Sequence, residues 1–277
     1  MDCSASLCGQ GCYQFLADHR GDTLFPIDPN ANHGSTVVMN AVFDPLSAGA
    51  TMTLTEAHVA AATRVVPDLP PNPDRQVFNE SDYGDAASDL LAAHGTDPLW
   101  LFAYGSLLWN PTLPDQNWRR ATAKGWRRSF CMEMRSWRGT PDQPGLMLAL
   151  RSGGTCTGLA QPVPAENRHD HLTRLLRREI DGPKALQSLR IVALDSDEGP
   201  LNALCFYADP IGRTEDRSAT EVAAVLARAC GPMGSCAEYL FKTVTALEHH
   251  GIRDPHLWEL QHLVALELAA HVPPPAA

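Results

Sequence analysis

The first 50 residues follow neither a two-residue nor a 3.6-residue hydrophobic period, and Gly, Asn, Asp and Pro recur through them. Loose structure is expected there. Thr53 followed by Glu56 reads as a capping box opening a short Ala-rich helix to about Arg64, and Pro67, Pro70, Pro71 and Pro73 then stop any regular element. A second, weaker helix is predicted over Asp85–His94. From Trp100 the pattern becomes short β-like runs: Trp100–Tyr104, Thr122–Met134, Leu146–Leu150, Thr155–Ala160, Leu189–Leu194 and Leu201–Ala208. Ser152-Gly153-Gly154 and Asp197-Glu198-Gly199 read as turns, which predicts at least two antiparallel hairpins. Between the hairpins lies a helix from Ala165 to about Glu179, with Leu172, Leu175 and Leu176 at core spacing and Gly182-Pro183 as its stop. The last third is helical. Ser235 and Glu238 make a capping box for one helix that runs to His250 and stops at Gly251, while Asp254-Pro255 opens another with Leu257, Leu260, Leu263, Val264 and Leu268 inward, ended by Pro273. The class is α+β, and no repeat of about 20–50 residues supports a solenoid or propeller.

Charge changes the picture in one respect. Residues 1–97 carry 13 acids and 3 bases, the whole of the net −10, while the remainder of the 277-residue chain is balanced at 19 of each. No basic face for nucleic acid is expected, and the acidic segment is read as an extension before a domain at 98–272, partly disordered with short helices. The start Met1-Asp2-Cys3-Ser4-Ala5 lacks a basic n-region and an apolar run, and the longest apolar stretch, Leu99–Tyr104, is far shorter than the ~20 residues of a membrane helix. A cytoplasmic protein with no membrane partner is expected. The eight cysteines include no C-x-x-C pair and read as reduced thiols. Cys3, Cys8 and Cys12 offer three ligands at spacings that match no common zinc pattern, so no metal site is expected.

The common hydrolase, nucleotide and zinc-protease motifs are absent. The histidine pairs His169/His171 and His249/His250 read as decoration of exposed helix faces or of a helix C-terminus, where a cation is favoured. The strongest local feature is Trp100–Asn110, an apolar strand running into Tyr104-Gly105-Ser106-Leu107. Gly105 permits a sharp turn and close backbone approach, and successive amides in such a turn suit a carboxylate; alone, the four residues read as an ordinary strand-to-loop turn. Glu179 ends a basic helix terminus, Arg177-Arg178-Glu179. The helix dipole opposes its ionisation, and burial would raise its pKa and make it a proton shuttle; alone, it reads as a surface ion pair with a neighbouring arginine.

The blocks together resemble the ChaC-type, glutathione-specific γ-glutamylcyclotransferases. The string W-x-F-x-Y-G-S-L-x-W-N-P at Trp100–Pro111, G-W-x-R-x-F-C at Gly125–Cys131, and Arg138-Gly139-Thr140 through Pro144-Gly145 to Leu148-Ala149-Leu150 are similar to that family's motifs. So are Arg178-Glu179 and Gly231-Pro232-x-Gly234 with Glu238-Tyr239-Leu240-Phe241, giving five ordered blocks over about residues 98–270. Two departures stand out. Ile180–Leu186 lacks the aromatic usual after the glutamate, and Gly158-Leu159-Ala160-Gln161-Pro162 replaces G-x-A-Y-R.

The resemblance implies a γ-glutamylcyclotransferase-like mixed six-stranded β-barrel with flanking helices and two C-terminal helices. It further implies conversion of glutathione to 5-oxoproline and Cys-Gly by internal attack of the α-amino group, with no cofactor or metal. Glu179 would move the proton, the amides of Tyr104, Gly105, Ser106 and Leu107 would hold the glutamyl α-carboxylate, and Tyr239 and Arg138 are substrate contacts or, equally, packing and an ion pair. Neither Ser106 nor a cysteine is expected to act as a covalent nucleophile. The partner is a small γ-glutamyl compound. A cyclotransferase for other γ-glutamyl amines or amino acids, or a non-catalytic binding protein on the same fold, are the alternatives.

Overall fold

The computed structural model describes residues 47, 49–70, 75–95, 98–114, 117–210 and 213–271. The Cys3, Cys8 and Cys12 trio, the expected looseness of the first 46 residues and the stop at Pro273 lie outside them. In chain order the elements are α1 (Glu56–Ala62), α2 (Glu80–His94), β1 (Trp100–Ala103), a 3-10 turn (Ser106–Leu108), β2 (Arg119–Met134), β3 (Gly145–Pro162), α3 (Arg168–Glu179) and α4 (Pro183–Leu186). They continue as β4 (Arg190–Ser196), β5 (Gly199–Cys205), α5 (Ala219–Arg228), β6 (Cys230–Gly231), β7 (Gly234–Ser235), α6 (Cys236–His249) and α7 (Pro255–His271).

Five strands, not the expected six, close a barrel in the order β1-β3-β2-β4-β5. Leu146–Leu150 and Thr155–Ala160 are one strand, β3, and Ser152-Gly153-Gly154 is not a turn. Gly153 and Gly154 have φ of +94° and +81°, and Gly125 on the facing strand has φ +81° at a register shift between Lys124 and Trp126. Both strands bulge at one level. Positive-φ glycines here supply the bend that barrel closure requires instead of a chain reversal. The second expected hairpin is present, Ser196 pairing Gly199 across the β4–β5 turn. Among the described barrel strands the pairings are antiparallel except β1 with β5, where Trp100 faces Ala203 and Leu101 faces Leu204. β6 and β7 form a separate two-stranded ribbon.

Helix boundaries follow the caps. Thr55, not Thr53, caps α1 with His58 as its box partner, and the Thr53 side chain meets His262 instead. α2 starts five residues earlier than expected because Asn79 and Asp82 make a capping box. α5, which apolar spacing did not single out, is opened by the Ser218–Glu221 box. Ser235 caps α6 by accepting from the Glu238 amide, and Gly251 follows it at φ +65°. α6 and α7 bury Leu240, Val244, Leu247, Leu257, Trp258, Leu260 and Val264 against the barrel's apolar interior. A second apolar cluster joins α2 (Tyr83, Ala86, Ala87) and α3 (Leu172, Leu175, Leu176) to the outer face of β1. Among the described residues no helix is long and apolar enough to cross a membrane.

One buried cation fastens these layers. Arg128 on β2 is 3% exposed, donates from Nε to the Tyr104 carbonyl (2.8 Å) and from a terminal nitrogen to the Thr157 carbonyl (2.6 Å), and ion-pairs with Asp254 (2.8 Å). Asp254 in turn accepts from the Leu257 amide and starts α7. Removing the guanidinium leaves a largely buried carboxylate without its counter-ion and takes a donor from two carbonyls. Arg128→Met is therefore expected to cost about 3–5 kcal/mol in urea unfolding, and a loss below about 1 kcal/mol would refute this role.

Candidate active site

Strand polarity decides where the site lies. Because β1, β2 and β5 run in one sense and β3 against them, the C-terminal ends of β1, β2 and β5 and the N-terminal end of β3 share one end of the barrel. Each end contributes side chains to a cavity of about 370 Å³, within the range usual for small-molecule sites. β1 supplies Tyr104–Leu107, β2 and β3 supply Met132, Met134, Met147 and Leu148, and the chain after β5 supplies Phe206 and Tyr207. The end of α3 and the first turn of α6 bring Glu179 and Tyr239 to the same cavity.

The Tyr104–Leu107 turn is held from several sides. Tyr104 donates its hydroxyl to the Phe206 carbonyl (2.9 Å) while its own carbonyl takes Arg128. Leu108 and Trp109 donate back to Gly105 and Ser106, which winds the 3-10 turn and points its leading amides away from its own carbonyls. Gly105 is required by space: a Cβ there would sit 2.9 Å from the Tyr239 hydroxyl. Tyr239 is 3% exposed, with Trp109 and Phe130 edge-on to its ring. Burial first, then the negative Glu179 nearby, push its hydroxyl pKa up to about 12, so it is a neutral donor at physiological pH.

Glu179 is not on the surface. Its side chain is 12% exposed, its neighbour Arg178 lies 3.1 Å away through Nε, and its backbone carbonyl accepts the Tyr207 hydroxyl. Burial raises the carboxyl pKa, and Arg178 lowers it by less. Arg178 is itself shared with the Asn110 carbonyl and the Thr112 hydroxyl, so its charge is spread over the loop beyond the turn.

The structure thus brings Tyr104, Gly105, Ser106, Leu107, Glu179 and Tyr239 to one cavity. Arg138 reaches it as well, but its guanidinium is held by Glu238 (2.8 Å) and the Ser235 carbonyl (2.7 Å), the ion-pair reading of this residue. The sequence did not single out Tyr207, Trp137 or the methionine wall. Tyr207 and Trp137 take positive φ, +52° and +59°, which no residue type at those positions announces. Met132 and Met134 alternate on β2 and Met132 faces Met147 across the ladder, a pattern also expected of plain core. Among the described residues no group of acidic, His or Cys side chains is placed to hold a metal.

A family model described as ChaC-like protein matches residues 99–267. The chain is similar to the glutathione-specific gamma-glutamylcyclotransferase of Escherichia coli (strain K12), 38% identical over 190 residues that cover 68% of this chain and 81% of that one. It is also similar to the glutathione-specific gamma-glutamylcyclotransferase of Schizosaccharomyces pombe, 29% identical over 59% of this chain and 90% of that one. Among solved structures, a yeast gamma-glutamyl cyclotransferase specific to glutathione matches at TM-score 0.55 and 21% identity over 64% of this chain and 99% of that one, a likeness of fold.

Because burial lifts the folded pKa of Glu179 above its unfolded value, the native state keeps this proton in the window between the two, and stability falls as pH rises through it. Glu179→Gln removes that titration. The variant is expected to gain on the wild type in urea midpoint as pH rises above the ordinary carboxyl range of about 4; a difference that stays constant with pH would contradict a buried, titrating Glu179.

Proposed function

The chain belongs to the ChaC-like family, and from that premise we propose that it is a glutathione-specific γ-glutamylcyclotransferase with its active site in the barrel-end cavity. The observation that carries the reading is the buried carboxylate of Glu179, held in the same cavity as the Tyr104–Leu107 turn and Tyr239. Such a pair of features fits a molecule with a carboxylate at one end and a proton to move a few atoms away.

The reaction is internal to the substrate. The α-amino nitrogen attacks the γ-carbonyl carbon, a five-membered lactam forms, the amide C–N bond breaks, and Cys-Gly leaves with its amine restored. Two protons pass from the attacking to the departing nitrogen. The turn amides of Gly105, Ser106 and Leu107 hold the α-carboxylate and so fix which way the glutamyl chain folds, which supplies the near-attack geometry. Glu179 accepts a proton from the α-ammonium and delivers it to the leaving nitrogen. Its raised pKa brings it closer to both nitrogens than a solvated carboxylate would be. Tyr239, neutral and rigidly packed, donates to the substrate oxygen beside the turn. Met132, Met134 and Met147 give the thiol-bearing side chain an apolar, polarisable wall.

The catalytic unit is placed at residues 98–272. The five described cysteines are free and buried, which suits a reducing compartment, and we place the protein in the cytoplasm with a small-molecule substrate and no nucleic-acid partner.

Purified protein given glutathione at neutral pH in the presence of a chelator should release 5-oxoproline and Cys-Gly in equal amounts, followed by mass spectrometry. Glu179→Gln is expected to lower kcat by about 10²–10⁴ with little change in KM. Full activity in that variant would remove Glu179 from the mechanism, and turnover of γ-glutamyl-alanine in preference to glutathione would replace the assigned substrate.

A further inference from the structure

Arg75 lies on the segment before α2, far in sequence from every block that builds the cavity, yet it reaches the cavity's rim on two sides. Its guanidinium stands 4.7 Å from the centre of the Trp137 ring, a cavity-lining side chain that is 40% exposed and marks the mouth. It also ion-pairs with Asp181, two residues beyond Glu179. Its charge is felt by a second lining residue, Tyr207, whose hydroxyl it pulls toward ionisation against the larger effect of burial.

The segment is docked there, not merely near. The Phe78 amide donates to the Asp181 carbonyl at 2.9 Å. Gly182 lets the two strands of chain touch, since a Cβ at that position would fall 2.2 Å from the Gln76 carbonyl oxygen. Phe78 then packs edge-on to Tyr83 of α2, which fixes the segment to the helix packed on α3.

Charge at the cavity is otherwise committed. The arginines among its described lining residues are Arg138 and Arg178, and both are bound by protein acceptors. A peptide amine such as Cys-Gly ends in a carboxylate, and that group needs a cation beyond the scissile bond. Ile180 is extended, so Asp181 sits roughly 7 Å along the chain from Glu179, about the span of an extended dipeptide. An arginine fork has five N–H donors, and Asp181 uses only one edge of it.

We propose that Arg75 is a specificity-determining residue of this site, receiving the terminal carboxylate of the amine half of the γ-glutamyl substrate. The inference rests on the cyclotransferase reading above and assigns the segment before α2 a share in the substrate pocket.

The test compares the full-length wild type with Arg75→Gln and Arg75→Lys on glutathione and on glutathione with its C-terminal carboxylate converted to the carboxamide. The wild type should favour glutathione by about tenfold or more in kcat/KM, chiefly through KM. Arg75→Gln should lose about that factor on glutathione and little on the carboxamide, with Arg75→Lys between the two. An equal loss on both substrates, or no loss on either, overturns the role of Arg75 while leaving the cyclotransferase reading intact. Absence of turnover by the wild type on both substrates overturns that reading and the Arg75 assignment with it.

Discussion

A guanidinium with almost no access to water sets the geometry on which the rest depends. Arg128 must satisfy its donors inside the protein, and it does so on the Tyr104 carbonyl, the Thr157 carbonyl and the Asp254 carboxylate. Those acceptors belong to the end of β1, the middle of β3 and the start of α7. A charge this deeply buried cannot tolerate a lost partner, so the three elements are locked to one arrangement. The peptide that begins the Tyr-Gly-Ser-Leu turn is therefore positioned by the core, not by the loop itself.

The same buried environment creates the chemistry. Tyr239 is packed between Trp109 and Phe130 and Glu179 is withdrawn from water at the same cavity, and both have raised pKa values chiefly through burial. The carboxylate is stabilised only in part by Arg178, whose charge is divided among Asn110, Thr112 and Glu179. Full neutralisation by a dedicated arginine would return Glu179 to an ordinary acid. The shared guanidinium offsets burial only in part, so the carboxyl pKa stays raised.

The sequence revealed the local features and missed those made by tertiary assembly. Leu172, Leu175 and Leu176 sat at core spacing and are all buried on α3, and Tyr104, Gly105 and Glu179 meet in one cavity. The strand count failed at Ser152-Gly153-Gly154, because a positive-φ glycine serves a turn and a barrel bulge alike and only the facing Gly125 tells them apart. The helix starts at Asn79 and Ser218 carried readable capping boxes that hydrophobic spacing alone passed over. Tyr207, Trp137 and the methionine wall could not be read, since their roles come from where strand ends converge and not from any local spacing. The docking of residues 75–78 beside Asp181 and Gly182 is of the same kind: the chain-distant partner is invisible until the fold is closed.

The parallel pairing of β1 with β5 has a bearing on how the protein is made. Trp100 and Leu101 find Ala203 and Leu204 about a hundred residues later in the chain, so one edge of β1 stays open on the ribosome until most of the domain has emerged. An apolar strand with an unfilled edge is a hazard for association during that interval. Every site element shares the delay, because Tyr104, Glu179 and Tyr239 are each separated by dozens of residues and meet only when the ring of strands is shut. Folding governed by such distant contacts is slow for its size. A nascent chain consequently carries no partly built pocket able to act on its substrate ahead of completion.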